Sequence, residues 1–125
     1  MKYNTHKPIY LQIAYQIVLD IYDKKIPLAT LLPSVRELSV TYNVTPKTIQ
    51  SVTKYLAENG IINKKPSVGS VITNVYDNVE NLHRKHGINN SKEYIEFMKS
   101  LSYKNDEILQ IVTNILGGNT NDKSN

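Results

Sequence analysis

The chain has 125 residues, of which 40% are hydrophobic and 21% charged, and a formal net charge of +4. This balance excludes a wholly disordered chain, and the length suits one compact domain or a small domain with an appendage. Without any cysteine, disulfides, thiolate zinc sites, iron–sulfur clusters and cysteine nucleophiles are excluded too.

No apolar run approaches the roughly 20 residues of a membrane span. The opening MKYNTHKPIY lacks the apolar core of a secretory signal, so the expected location is the cytoplasm. The charge is unevenly placed. Residues 1–75 hold nine Lys/Arg against four Asp/Glu, whereas residues 76–125 hold six against seven. A basic first part joined to a near-neutral second part suggests a polyanion-binding module followed by something else.

From Pro8 to about Lys25, Tyr10, Ala14, Ile17 and Ile21 recur at helical spacing, and Leu11, Val18 and Tyr22 widen the apolar row. Pro8 is tolerated in a first turn, Lys24 and Lys25 suit a helix C-terminus, and Pro27 prevents continuation. A second, short helix opens at Ser34, which with Glu37 forms a capping box. Val35, Leu38 and Tyr42 give it an apolar face, and Asn43 suits the left-handed residue that ends it. After Val44 the next start signal follows at once, with Thr45 as N-cap and Pro46 as first helical residue. Ile49, Val52, Thr53 and Leu56 line the inner face of this third helix, and Asn59-Gly60 stops it. Two helices with so tight a joint form a helix-turn-helix. Ile61–Lys64 and Ser70–Thr73 then flank a Pro/Gly-containing turn, which predicts a hairpin carrying Lys64 and Lys65 at its tip. The predicted fold class is therefore mainly α with a small β-hairpin, a winged helix-turn-helix over residues 1–75.

Residues 77–86 read as a short helix or an extended link. Asn90 with Glu93 forms a further capping pair, and Ile95, Met98 and Leu101 follow at helical spacing. A last helix spans Asn105 to Leu116, with Ile108, Val112 and Ile115 on one face, and Gly117-Gly118 stops it. The final GGNTNDKSN should be disordered. Residues 76–118 are thus expected to form a short helical region and 119–125 a disordered tail. Two helices this short, each with one narrow stripe, are marginal against each other alone. Packing on the first helix of the same chain is one outlet. The favoured one is a symmetric exchange between two chains through Ile95, Met98, Leu101, Ile108, Val112 and Ile115.

Catalysis finds little support. There is no glycine-rich phosphate loop, serine elbow or paired-carboxylate signature, and no cofactor is implied. His83 and His86, three apart, could share a helix face as a metal pair, but solvated surface histidines explain them more simply. The nine tyrosines invite stacking on single-stranded bases, yet several fall within the apolar rows, where a buried ring with a wet hydroxyl suffices. The third helix is the better reader. It leaves Pro46, Lys47, Gln50, Ser51 and Lys54 outward and presents Thr45, Lys47 and Thr48 at its N-terminal end. These are types that bond phosphates and base edges. A merely solvated face would look similar. The flanking basic hairpin, with Lys64 and Lys65, favours double-stranded DNA.

The order PIYLQIAYQIVLDI, then LLPSVRELSVTYNVTPKTIQSVTKYLAENGII, then a wing ending in Gly69-Ser70-Val71-Ile72 resembles the GntR family of bacterial repressors. The resemblance covers about residues 8–73, and the short tail after it looks like the YtrA subfamily, in which the tail serves dimerisation. It implies DNA contacts at Arg36, the arginine of the PSxRE run, at Thr45, Lys47, Thr48 and Gln50 of the recognition helix, and at the wing glycine, Gly69. Two departures matter. Many relatives have arginine where this chain has Pro46, and the family's basic, glycine-rich wing turn here carries Pro66. The expected function is a homodimeric DNA-binding transcription regulator, a repressor acting at an inverted-repeat operator. The alternative is a winged-helix protein-interaction module without specific DNA binding. A small-molecule effector, if one exists, has no pocket domain to occupy and is left to the tail's joint with the winged helix or to a dimer interface.

Overall fold

A computed structural model of the chain describes residues 1–3 and 5–118. The predicted disordered tail, 119–125, lies outside the described residues. In order, the elements are α1 (Ile9–Tyr22), α2 (Val35–Tyr42), α3 (Pro46–Glu58), β1 (Ile62–Lys65), β2 (Gly69–Ile72), α4 (Tyr76–Ser100) and α5 (Asn105–Leu116). The chain divides into two compact units, Met1–His86 and the part from Gly87 onward, and the division falls inside α4.

The first unit is built on the periodicity of α1. Ile13, Ala14, Ile17, Val18 and Ile21 are buried against Leu38 of α2, Ile49, Val52 and Leu56 of α3, Ile61, Ile62 and Ile72 around the hairpin, and Val79 and Leu82 of α4. Burying each large aliphatic side chain is worth about 1.5–3 kcal/mol, so this cluster fixes how the short helices are held. Helix α1 stops at Tyr22, short of Lys25. Pro8 precedes it as N-cap, and Lys24 already has a left-handed φ of 63°. The chain has turned away before Pro27 is reached.

The helix-turn-helix forms from local signals. Ser34 Oγ accepts from the Glu37 N–H at 3.1 Å, and the Ser34 N–H donates to the Glu37 carboxylate at 2.9 Å. These bonds hold the Glu37 carboxyl below its ordinary value, the Ser34 backbone bond contributing most. Asn43 is left-handed at φ 54°, and Thr45 Oγ1 accepts from the Thr48 N–H at 3.3 Å.

Strands β1 and β2 pair antiparallel with Ile62 opposite Ile72 and Lys65 opposite Gly69. The turn is therefore Pro66-Ser67-Val68, and Lys64 and Lys65 belong to β1 instead of the tip. An isolated antiparallel bridge joins Leu31 to Val71, and Leu32 N–H donates to Ser70 O at 2.8 Å. Residues before α2 thus cover the free edge of β2, a device that keeps a short sheet from pairing elsewhere.

Helix α4 differs most from expectation. Residues 76–100 form one continuous helix of 25 residues, and Asn90 and Glu93 lie inside it instead of capping a new one. A glycine within a helix costs only about 1 kcal/mol, and Gly87 faces open space. The first half is anchored by buried Val79 and Leu82, by the Tyr76 hydroxyl donating to Tyr22 O at 3.0 Å, and by two ring stacks. His83 lies on Tyr22 at 3.8 Å and His86 on Tyr15 at 3.7 Å. These histidines are half-buried stacking partners and not solvated surface groups. In the second unit Met98 and Ile108 are buried, Val112 is half-buried, and Ile95, Leu101 and Ile115 remain exposed.

Candidate nucleic-acid interface

The inner face of α3 is filled by Ile49, Val52, Thr53 and Leu56. With that face spent, the helical period leaves Lys47, Gln50, Ser51 and Lys54 exposed as one stripe on the opposite side. At the N-terminal end, Pro46 is exposed, and Thr45 and Thr48 face each other with hydroxyl oxygens 3.2 Å apart. Both hydroxyls are partly occupied in starting the helix, which ties any contact they make to the first turn. Arg36 sits exposed on the first turn of α2, next to half-buried Val35.

The hairpin is brought alongside this helix. An open cleft of about 420 Å³ is lined by Val35, Gln50, Thr53, Lys64, Lys65, Pro66, Gly69 and Ser70. It joins four of the expected contact residues, Gln50, Lys64, Lys65 and Gly69. Side chains alternate along a strand, so Lys64 and Ser70 share the face of buried Ile62 and Ile72, which is the face directed at α3. Thr45, Lys47, Thr48, Lys54 and Arg36 do not line the cleft. They lie along the helices outside it. Sequence reasoning did not place Val35, Thr53, Pro66 and Ser70 in the site. Their membership depends on the hairpin folding back on α2 and α3, which no local pattern encodes.

Four lysines, an arginine, an amide and several hydroxyls, with no acidic side chain among these residues, can bond phosphate oxygens and base edges. The reader is braced from behind. Tyr55, on the inner side of α3, shares a hydroxyl–hydroxyl bond of 2.8 Å with Tyr15 of α1 and packs edge-on to Tyr10 and Tyr15. Burial, then the Tyr15 bond, pushes the Tyr55 phenol well above its ordinary value, so it stays a neutral hydroxyl. Tyr3 likewise donates to Tyr42 O at 2.7 Å. These tyrosine hydroxyls bond within the protein, and their rings pack half-buried against the core.

Comparison with known proteins agrees with this geometry. The family model described as bacterial regulatory proteins, gntR family, matches residues 9–72. The uncharacterised HTH-type transcriptional regulator YhcF of Bacillus subtilis is 31% identical over 109 residues, 87% of this chain and 90% of that protein. A GntR family transcriptional regulator from Listeria monocytogenes is 29% identical with a TM-score of 0.74, covering 89% of this chain and 97% of that one. The fold is also that of S. agalactiae BusR, solved in complex with its busAB promoter DNA. There the identity is 20%, the TM-score 0.58, and the match covers 86% of this chain and 54% of that one. No described helix is long and apolar enough to cross a membrane. A capped reader helix beside a lysine-bearing wing, matched by the family model over that same stretch, makes this chain a member of the GntR family, DNA-binding transcription regulators and not enzymes.

Proposed function

We propose that the chain is a homodimeric repressor of the YtrA-like, short-tailed kind that binds an inverted-repeat operator. The observation that carries this reading is the exposed Lys47–Gln50–Lys54 stripe of α3, which faces outward beside a wing bearing Lys64 and Lys65. With α3 in a major groove, Lys47 and Gln50 reach base edges, and Arg36 approaches from the first turn of α2. Thr45, Thr48 and Lys54 hold the flanking phosphates, as do Lys64, Lys65 and the Gly69 backbone from the wing. BusR, which shares the fold, is solved on promoter DNA, and that supports duplex DNA as the partner.

The tail supports pairing of two chains. Between the second half of α4 and α5 runs a groove of about 560 Å³, lined by Tyr94, Ile95, Ile108, Leu109 and Val112 with Asn90, Ser91 and Asn105. Leu109, Ile115 and Leu116 of α5 are 68%, 56% and 82% exposed, more apolar surface than a short helix gains from leaving in water. Two copies joined there tether two α3 helices in one particle, and occupancy of a promoter excludes polymerase.

Selection from a random duplex library with the purified protein tests the whole reading. The expected result is a palindromic consensus whose half-site centres lie whole helical turns apart. A consensus without symmetry removes the dimeric operator. No salt-dependent affinity for any duplex replaces the reading with a protein-interaction scaffold.

A further inference from the structure

Helix α4 is tied to α3 at two separate points, and the second tie passes through α1. At the first, the Asn78 amide donates to Gly60 O at 3.0 Å, just past the end of α3. At the second, the His86 ring lies flat on the Tyr15 ring, with 3.7 Å between centroids and 2° between planes. The Tyr15 hydroxyl in turn shares its 2.8 Å bond with the Tyr55 hydroxyl of α3. Tyr55 also packs edge-on to Tyr15, with centroids 5.9 Å apart and planes at 77°. Tyr15 thus touches α3 and α4 at once. Tyr22, which carries His83, pairs with Tyr76, again on α4.

Asn78 and His86 are eight residues apart, about 12 Å along a helix. A helix held at one point can pivot, whereas two points set its direction. Burial of Val79 and Leu82 presses α4 onto the core, but apolar burial is non-directional. A ring stack and a hydroxyl bond each have a preferred geometry. On α3, Tyr55 follows Lys54 and lies one turn after Ser51, so whatever holds Tyr55 holds the outward stripe. His86 is the last residue of the first unit, and α4 runs on from it without a break. We propose that His86 is a positioning residue that, through Tyr15 and Tyr55, sets the direction in which α4 leaves α3. The role rests on the reading of the chain as a homodimer on an inverted repeat. In that dimer the direction of α4 decides how far apart the two α3 helices are held. His86 therefore selects the spacing of half-sites, while their sequence is left to α3.

The test uses the full chain and the palindromic duplex recovered by library selection, with one base pair added or removed between its half-sites. Each change shifts the second half-site by about 3.4 Å and turns it by about 35°. A duplex with a single half-site is the control. The wild type should bind the altered spacings about tenfold more weakly than the selected one. His86→Ala should bind all three spacings alike to within about threefold, with single-half-site affinity within about twofold of wild type. His86→Phe, which keeps a flat ring on Tyr15, should restore the preference. Tyr15→Phe, which keeps the ring under His86 but loses the Tyr55 bond, should abolish it as His86→Ala does. The proposal is overturned if His86→Ala or Tyr15→Phe keeps the wild-type preference, or if His86→Phe does not restore it. It is equally overturned if His86→Ala weakens the single half-site as much as the palindrome, which would make the stack a fold contact alone. A wild type that selects no palindrome overturns the dimeric reading itself, and this role with it.

Discussion

Gly60 shows how tightly single positions are determined. Its φ of +72° is strained for any L side chain, and a Cβ there would lie 3.0 Å from Asn78 Nδ2. That same amide donates to Gly60 O at 3.0 Å, tying the end of α3 to the start of α4. Gly60→Ala should therefore cost about 1–2 kcal/mol for the left-handed backbone, before any loss of the Asn78 bond. Urea unfolding measures it, and an unchanged midpoint would show that the turn relaxes. Glu37 carries a pH signature. Its folded pKa lies below the unfolded one, so its ionised form adds stability at neutral pH, and the increment fades as pH falls through the lowered value. Glu37→Gln should be less stable than wild type at about pH 7 and indistinguishable at about pH 2, where both are neutral. A constant difference across that range would separate the cap from the charge.

Among elements, the reader and the wing should fail in different ways. Arg36→Ala, if Arg36 forks onto a base, should weaken cognate binding by about 1–3 kcal/mol and relax one operator position. Lys64→Ala should instead weaken all sequences alike and lower the slope of log K against log salt by about one unit. Titrations at several salt concentrations distinguish the two, and a cognate-only loss for Lys64 would make it a base contact. Helices α2 and α3 were legible because their signals are local: Ser34 with Glu37, Asn43, Thr45 with Pro46, and Gly60 all act within a few residues. Helix α4 was not. Its continuity past Gly87 and Asn90 draws on Val79 and Leu82 in the core and on His83 and His86 stacked on α1, partners far back in the chain. The same reason hid the bridge from Leu31 to Val71 and the place of Ser70 and Val35 in the cleft. The stripe on α3 followed from the helical period alone, whereas the cleft beside it required the folded hairpin.

For the whole molecule, the proposed pairing of two chains can be tested without touching α3. Leu109→Glu with Ile115→Glu places charges on exposed positions of α5, so the first unit should fold unchanged. Sedimentation at micromolar concentration should then show a monomer that binds one half-site weakly, because the second contact no longer benefits from tethering. A double variant that remains a dimer would take the tail out of the interface. The division of α4 at His86 and Gly87 has a further consequence, in hydrogen exchange. Amides of residues 80–86 follow a turn whose side chains are packed into the core, and their opening requires the winged helix to come apart. Beyond Gly87 the same helix has Met98 as its one buried apolar residue. Its amides should exchange by local fraying in the isolated chain, orders of magnitude sooner. One helix thus contains two stabilities, and only the association of tails would slow the second to match the first.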